Sequence, residues 1–148
     1  MHADTPEELY VHAKHTVKLL NDATIVAHMC HWNVRGLNYY EHHLLFDRVY
    51  GALDGLMDGL VERLRACGFN PDFDQFSGPG ISMQVYDCKY LLSLLLDYVM
   101  AANSITHIFF EYANSRKSPQ MTGLADYLQS MSSEILQLQG LLQQALGH

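Results

Sequence analysis

The sequence predicts an all-α fold, a bundle of four long helices. Apolar residues recur at helical spacing through four segments of about 25–30 residues. No segment sustains an apolar/polar alternation of period two, so strands are not expected. Capping residues precede the segments and glycines or prolines follow them. With 148 residues the chain is read as one domain spanning 1–148.

The first helix starts at Thr5-Pro6-Glu7-Glu8, with Thr5 as N-cap, Pro6 at the first helical position and Glu8 closing a capping box. Its apolar positions run through Val11, Val17, Leu19, Leu20, Ala23, Val26, Ala27 and Cys30, and Arg35-Gly36 stops it. Asn38-Tyr39-Tyr40-Glu41 is a second capping-box pattern. The helix behind it carries Leu44, Leu45, Val49, Leu53, Leu56, Leu60, Val61 and Leu64, with Gly68 as its C′ residue. Residues 69 to 80 read as a loop with room for a short helical turn. The third helix covers roughly Tyr86 to Ser115. The fourth starts near Ser118-Pro119 or Thr122 and runs to about Leu146, where Gly147 ends it. Each spans about 40 Å, and the connections suggest an up-down bundle with a short crossover piece in 69–85.

Composition narrows the function. The chain is 49% hydrophobic, enough for a core and too much for a disordered chain. Nine Lys and Arg against sixteen Asp and Glu give a net charge of −7, which argues against a basic nucleic-acid surface. The longest apolar run, Leu91 to Leu96, is far short of the ~20 residues of a membrane span, and the first residues do not read as a signal peptide. Three cysteines, Cys30, Cys67 and Cys88, form no CxxC and fit a reducing cytoplasm. The anomaly is nine histidines in an acidic chain.

In the second helix His43, Asp47, Asp58 and Glu62 fall at about 0°, 40°, 60° and 100° around the axis, on one face. They form two i,i+4 pairs, each able to meet one ion. Asp47 and Asp58 are nevertheless ~16 Å apart along the axis, so one chain cannot close both pairs on one site. An antiparallel copy of the helix can, if a two-fold axis crosses near residues 52–53. Gly51 and Gly55 share that face, and Gly59 lies further along; each costs ~1 kcal/mol inside a helix and asks for a packing reason. An isologous dimer supplies one. His31, just before the Gly36 turn, can fold back toward the same place. Mixed imidazole and carboxylate ligation suits iron, zinc or manganese. Spacing alone also permits a plainer reading, a solvated polar stripe with a local ion pair.

His31-Trp32-Asn33-Val34-Arg35-Gly36, followed by His43, Asp47, Asp58 and Glu62, resembles the Dps family, the mini-ferritins named as DNA-binding proteins from starved cells. The family motif is HWN-V-(K/R)-G, a second His twelve residues after the first, then D-x10-D-x3-E. Every position matches, and the match is specific over residues 15–68. The resemblance implies a ferritin-like four-helix bundle with a short crossover helix between helices two and three, in a hollow shell of twelve subunits. It also implies a ferroxidase site at each two-fold interface. There His31, His43 and Asp47 would come from one subunit, Asp58 and Glu62 from its neighbour, and Trp32 would lie beside them. The activity implied is oxidation of Fe(II) by hydrogen peroxide or O2, with ferric iron sequestered in the shell as protection against oxidative damage. Zinc is a possible substitute at the same site. Leu44 and Arg48 stand where the family often carries acidic residues. Asp126 is the remaining candidate for a metal entry pore.

Other readings stand beside this one. A DNA-compacting or structural shell protein with little ferroxidase activity is the main alternative. A helical assembly protein with a lapsed or zinc-filled site is another. A classical ferritin is disfavoured because no Glu is followed three residues later by His. DNA binding is expected to be weak or absent. Dps members that bind DNA directly generally use Lys/Arg-rich tails, whereas Met1 to Asp4 and the stretch after Glu134 carry neither residue. His12, His15, His28 and His107 are read as surface or satisfied bundle histidines, and Phe109-Phe110-Tyr112 as core or interface. Tyr39 and Tyr40 are read as packing residues. Cys30 beside His31 lacks a second Cys/His pair at structural-zinc spacing.

Overall fold

The computed structural model describes residues 6–68, 79–80, 88–116 and 118–147. Four helices make up the described residues: α1 (Pro6–Asn33), α2 (Tyr39–Ala66), α3 (Cys88–Asn114) and α4 (Pro119–Leu146). The Thr5 cap and the crossover piece expected in 69–85 lie outside the described residues, apart from Pro79 and Gly80.

The helix ends follow local chemistry. Ser118 caps α4, its hydroxyl accepting from the Met121 N–H at 3.2 Å, and Pro119 follows at the first helical position. Gly68 and Gly147 end α2 and α4 in the left-handed region, at φ +83° and +88°. The capping box expected at Asn38 does not form. Asn38 itself is left-handed, at φ +63°, and its side chain makes no cap bond. The Tyr39 N–H, another of the helix's orphan first-turn donors, goes to the Gly36 carbonyl at 3.1 Å.

α1 packs against α2 and α3, and α4 against α3 and α2, which leaves α2 and α3 on a diagonal. Direction can be read from the contacts between ends. His12 near the start of α1 packs on Tyr112 near the end of α3, while Cys30 at the other end of α1 reaches the Leu91 carbonyl. Cys67, just past α2, lies against Gln120 at the start of α4. Both α1/α3 and α2/α4 are therefore antiparallel, so α2 and α3 run the same way. The simple up-down alternation expected from the sequence is corrected to up-down-down-up. The 21 residues between Ala66 and Cys88 allow it, since they reach ~69 Å extended against the ~42 Å length of α2. One long crossover is the arrangement of ferritin-like bundles.

The core is a column of Leu, Val, Ala and Phe at three- and four-residue spacing. On α2 it is Phe46, Val49, Leu53, Leu56, Leu60 and Leu64. Leu44 and Val11, expected among the apolar positions, are exposed instead, and Phe46 is buried. α3 is long and apolar enough to cross a membrane by length and composition. Its Leu91, Leu92, Leu95, Leu96 and Val99 are spent in this core. The opposite face of α2 carries Asp47, Gly51, Asp54, Gly55, Asp58 and Glu62, all exposed.

Candidate metal centre

The α1–α2 turn brings His31 and His43, twelve residues apart, into face-to-face contact with ring centroids 3.8 Å apart. Their backbones and rings are cross-linked. His31 Nδ1 lies 2.9 Å from the His43 carbonyl, and His43 Nδ1 lies 3.0 Å from the His31 carbonyl. A carbonyl only accepts, so each Nδ1 must carry the proton. In a neutral ring so bonded, Nε2 keeps the lone pair through which an imidazole binds a metal. Tyr39 stacks on the outer face of His43 at 5.1 Å, and Tyr50 meets His31 edge-on at 5.5 Å.

Asp47 stands one helical turn past His43 on the exposed face of α2. The Tyr50 hydroxyl is hydrogen-bonded to its carboxylate. That bond, then burial, raises the Tyr50 pKa above the ordinary 10. Trp32 is 67% exposed and sits edge-on to His28, which in turn meets Tyr50 at 3.8 Å. His12 and His107 are engaged elsewhere, His12 stacked on Phe109 and tilted against Tyr112, and His107 paired with Glu111 at 2.7 Å.

Asp58 and Glu62 lie on the same exposed face, ~16 Å further along the axis by helical rise. Neither is in an ion pair among the described residues. Among those residues, no three His, Cys, Asp or Glu of one chain gather tightly enough to hold an ion. Along α2 the expected residues therefore fall in two separate pairs, His43 with Asp47 and Asp58 with Glu62, and His31 joins the first through its stack on His43.

Two tyrosines were missed in the sequence. Tyr50 is three residues after Asp47, and that spacing is enough to place it beside the carboxylate. Tyr127 comes from α4, and no local pattern signals it. Its hydroxyl donates to the Leu56 carbonyl at 2.9 Å, and the Arg63 guanidinium lies 4.1 Å over its ring. Burial first, and the carboxylates of Glu134, Glu62 and Asp58 with it, raise the Tyr127 pKa, while Arg63 lowers it. A Cβ at residue 59 would meet that hydroxyl, so Gly59 has an intrachain reason. This corrects the expectation that all three glycines serve a dimer. Gly51 and Gly55 have nothing within 4 Å of a would-be Cβ. Cys30, beside His31 in sequence, points the opposite way into the core, where burial pushes its thiol up to about 12.

No family model matches the chain. It is 38% identical over 68 residues to the DNA protection during starvation protein of Listeria innocua, a match covering 46% of this chain and 41% of that relative's length. The structure of Dps from Microbacterium arborescens in a high iron form superposes with a TM-score of 0.85 at 16% identity, covering 100% of this chain and 99% of that one. The chain has the Dps fold and resembles Dps proteins in sequence. A zinc-soaked Dps from Listeria innocua aligns with a TM-score of 0.81 at 22% identity, covering 94% of this chain and 96% of that one. A ferritin-like diiron-carboxylate protein from Bacillus anthracis aligns with a TM-score of 0.81 at 17% identity, over 98% and 99%. Dps is thus a likeness in fold along the whole chain and in sequence along part of it.

Proposed function

We propose that the protein is a Dps-type mini-ferritin that oxidises Fe(II) at sites shared between two subunits and stores the ferric product in a closed shell. The observation that carries this is the reciprocal Nδ1–carbonyl clamp, which engages Nδ1 of both rings and leaves Nε2 of each as the nitrogen for a metal. His31, His43 and Asp47 of one subunit would face the partner's Asp58 and the partner's Glu62 across a two-fold axis near Ala52 and Leu53. That donor set of borderline nitrogens and hard oxygens suits Fe(II), with zinc as a competitor for the same atoms.

Iron is the substrate. Two Fe(II) each give up one electron, the O–O bond of hydrogen peroxide breaks, and two protons complete two waters. Pairing two one-electron donors with a two-electron oxidant avoids release of a hydroxyl radical. The carboxylates offset the charge gained by the metal, while the clamped imidazoles hold the geometry. O2 is the alternative oxidant. Twelve subunits, a cytoplasmic setting and protection from oxidative damage belong to the same proposal.

The test is anaerobic addition of Fe(II), then peroxide, with oxidation read by absorbance and shell size by light scattering. The His31→Ala/His43→Ala double variant should assemble normally. Its oxidation rate should fall by more than the ~10–100-fold typical of losing an outer partner of a metal ligand. Oxidation at the wild-type rate would remove these histidines from the site. A wild-type shell inert to peroxide and Fe(II) would leave a structural or DNA-compacting role.

A further inference from the structure

We infer that Tyr127 is a positioning residue for the Asp58–Glu62 pair, its ring holding the Arg63 guanidinium off both carboxylates. The inference rests on the reading of that pair as half of a shared metal centre.

Arg63 adjoins Glu62 in sequence and lies a little over one helical turn from Asp58. Neither spacing faces the two side chains directly, but the long stem of an arginine can bend toward a neighbouring acid, and a bidentate pair would occupy the oxygens a metal needs. Yet neither acid is paired among the described residues. Arg63 lies instead over the Tyr127 ring at 4.1 Å, with Nη1 3.5 Å from the Gly59 carbonyl. The π face of a tyrosine attracts a cation electrostatically and competes with the acids for it. The ring is held in place for this. Its hydroxyl donates to the Leu56 carbonyl at 2.9 Å, and Gly59 leaves the notch into which that hydroxyl fits. Asp58, Glu62 and Glu134 all act electrostatically on the same hydroxyl, which places the ring among the acids it keeps unpaired. The device joins two elements: α4 supplies the ring, and α2 supplies the notch, the cation and both acids.

Co(II), whose visible spectrum reports its ligands, is the probe, added without oxidant to the assembled protein. Tyr127→Leu should weaken Co(II) binding by ~10–100-fold, the usual effect of losing a partner outside the ligands. Tyr127→Phe keeps the π face but loses the hydroxyl anchor and should fall between the wild type and Tyr127→Leu; binding as weak as in Tyr127→Leu would count against the π face. The decisive variant is Tyr127→Leu/Arg63→Gln. With no guanidinium left to capture the acids, its affinity and spectrum should return toward the wild type. Unchanged binding in Tyr127→Leu, or no recovery in the double variant, would reduce Tyr127 to packing. If Tyr127→Leu does not assemble, Tyr127→Met, similar in bulk and without a π face, carries the same comparison. Asp58→Asn/Glu62→Gln tests the underlying reading. If Co(II) binding survives loss of both charges, the acids are not ligands, whatever the Tyr127 variants do.

Discussion

Gly55→Leu separates the interior of the chain from its assembly. Gly55 is exposed on α2, and a Cβ there would meet nothing within 4 Å. Within one chain the substitution should be harmless, and replacing a mid-helix glycine should add ~1 kcal/mol of helix stability. Between two chains packed through this face, overpacking costs ~1–3 kcal/mol per site. A two-fold axis doubles every contact, so the interface loses ~2–6 kcal/mol, or roughly 30-fold to 10^4-fold in dimer affinity. Gly59→Ala is the internal contrast, because its Cβ meets the Tyr127 hydroxyl inside the chain. It should lower the thermal midpoint of the protomer itself. Sedimentation velocity and peroxide-driven Fe(II) oxidation, run on the same samples, read the outcome. For Gly55→Leu, smaller species and slower oxidation should appear together while helicity stays normal. A Gly55→Leu protein that assembles and oxidises iron like the wild type would refute the shared-face argument. So would a fully active wild-type monomer.

Two further outcomes concern pH and DNA. Burial first, then the nearby charges of Arg116 and His15, hold the His12 pKa below its ordinary 6.5, while Glu8 pulls the other way. The unfolded chain therefore takes up this proton first, so the stability His12 contributes is complete above about pH 6.5 and is lost as pH falls below it. Thermal midpoints measured from pH 8 to 5 should show the loss, and His12→Phe, which keeps the stack on Phe109 and Tyr112, should flatten it; an unchanged slope would show that His12 is not its source. At −7 per chain the protein should not retain duplex DNA at low salt and neutral pH, where phosphate repulsion is strongest. Tight, salt-sensitive retention in a gel shift would overturn this and direct attention to Arg63, Arg65, Arg116 and Lys117.

Much of the architecture is legible in one dimension because the helices announce themselves. Ser118-Pro119, Gly68 and Gly147 act locally, and the structure uses all three as written. Asn38 misleads, since the tight turn puts it in the left-handed region, whereas a capping residue takes extended backbone angles. The direction of α3 is hidden for a different reason. Periodicity marks which face of a helix is buried, not which way the helix points, and the long linker before it permits either choice. His31 and His43 could be paired from sequence because a single tight turn joins their helices. The two Nδ1–carbonyl bonds depend on the axial stagger of α1 against α2, which no motif encodes. Tyr127 reaches α2 from 71 residues beyond Leu56, beyond any spacing rule.

Cys30 adjoins His31 in the chain, yet the helical turn of ~100° between them sends its sulfur inward, 3.6 Å from the Leu91 carbonyl. With its pKa raised to about 12, only about one molecule in 10^5 carries the reactive thiolate at neutral pH. Peroxide brought to the imidazoles, as the proposed function requires, would therefore find almost no competing nucleophile from this residue. If the protein oxidises iron as proposed, this placement keeps the Cys30 sulfur out of the reaction, and turnover need not drive it up the sulfenic-to-sulfonic ladder.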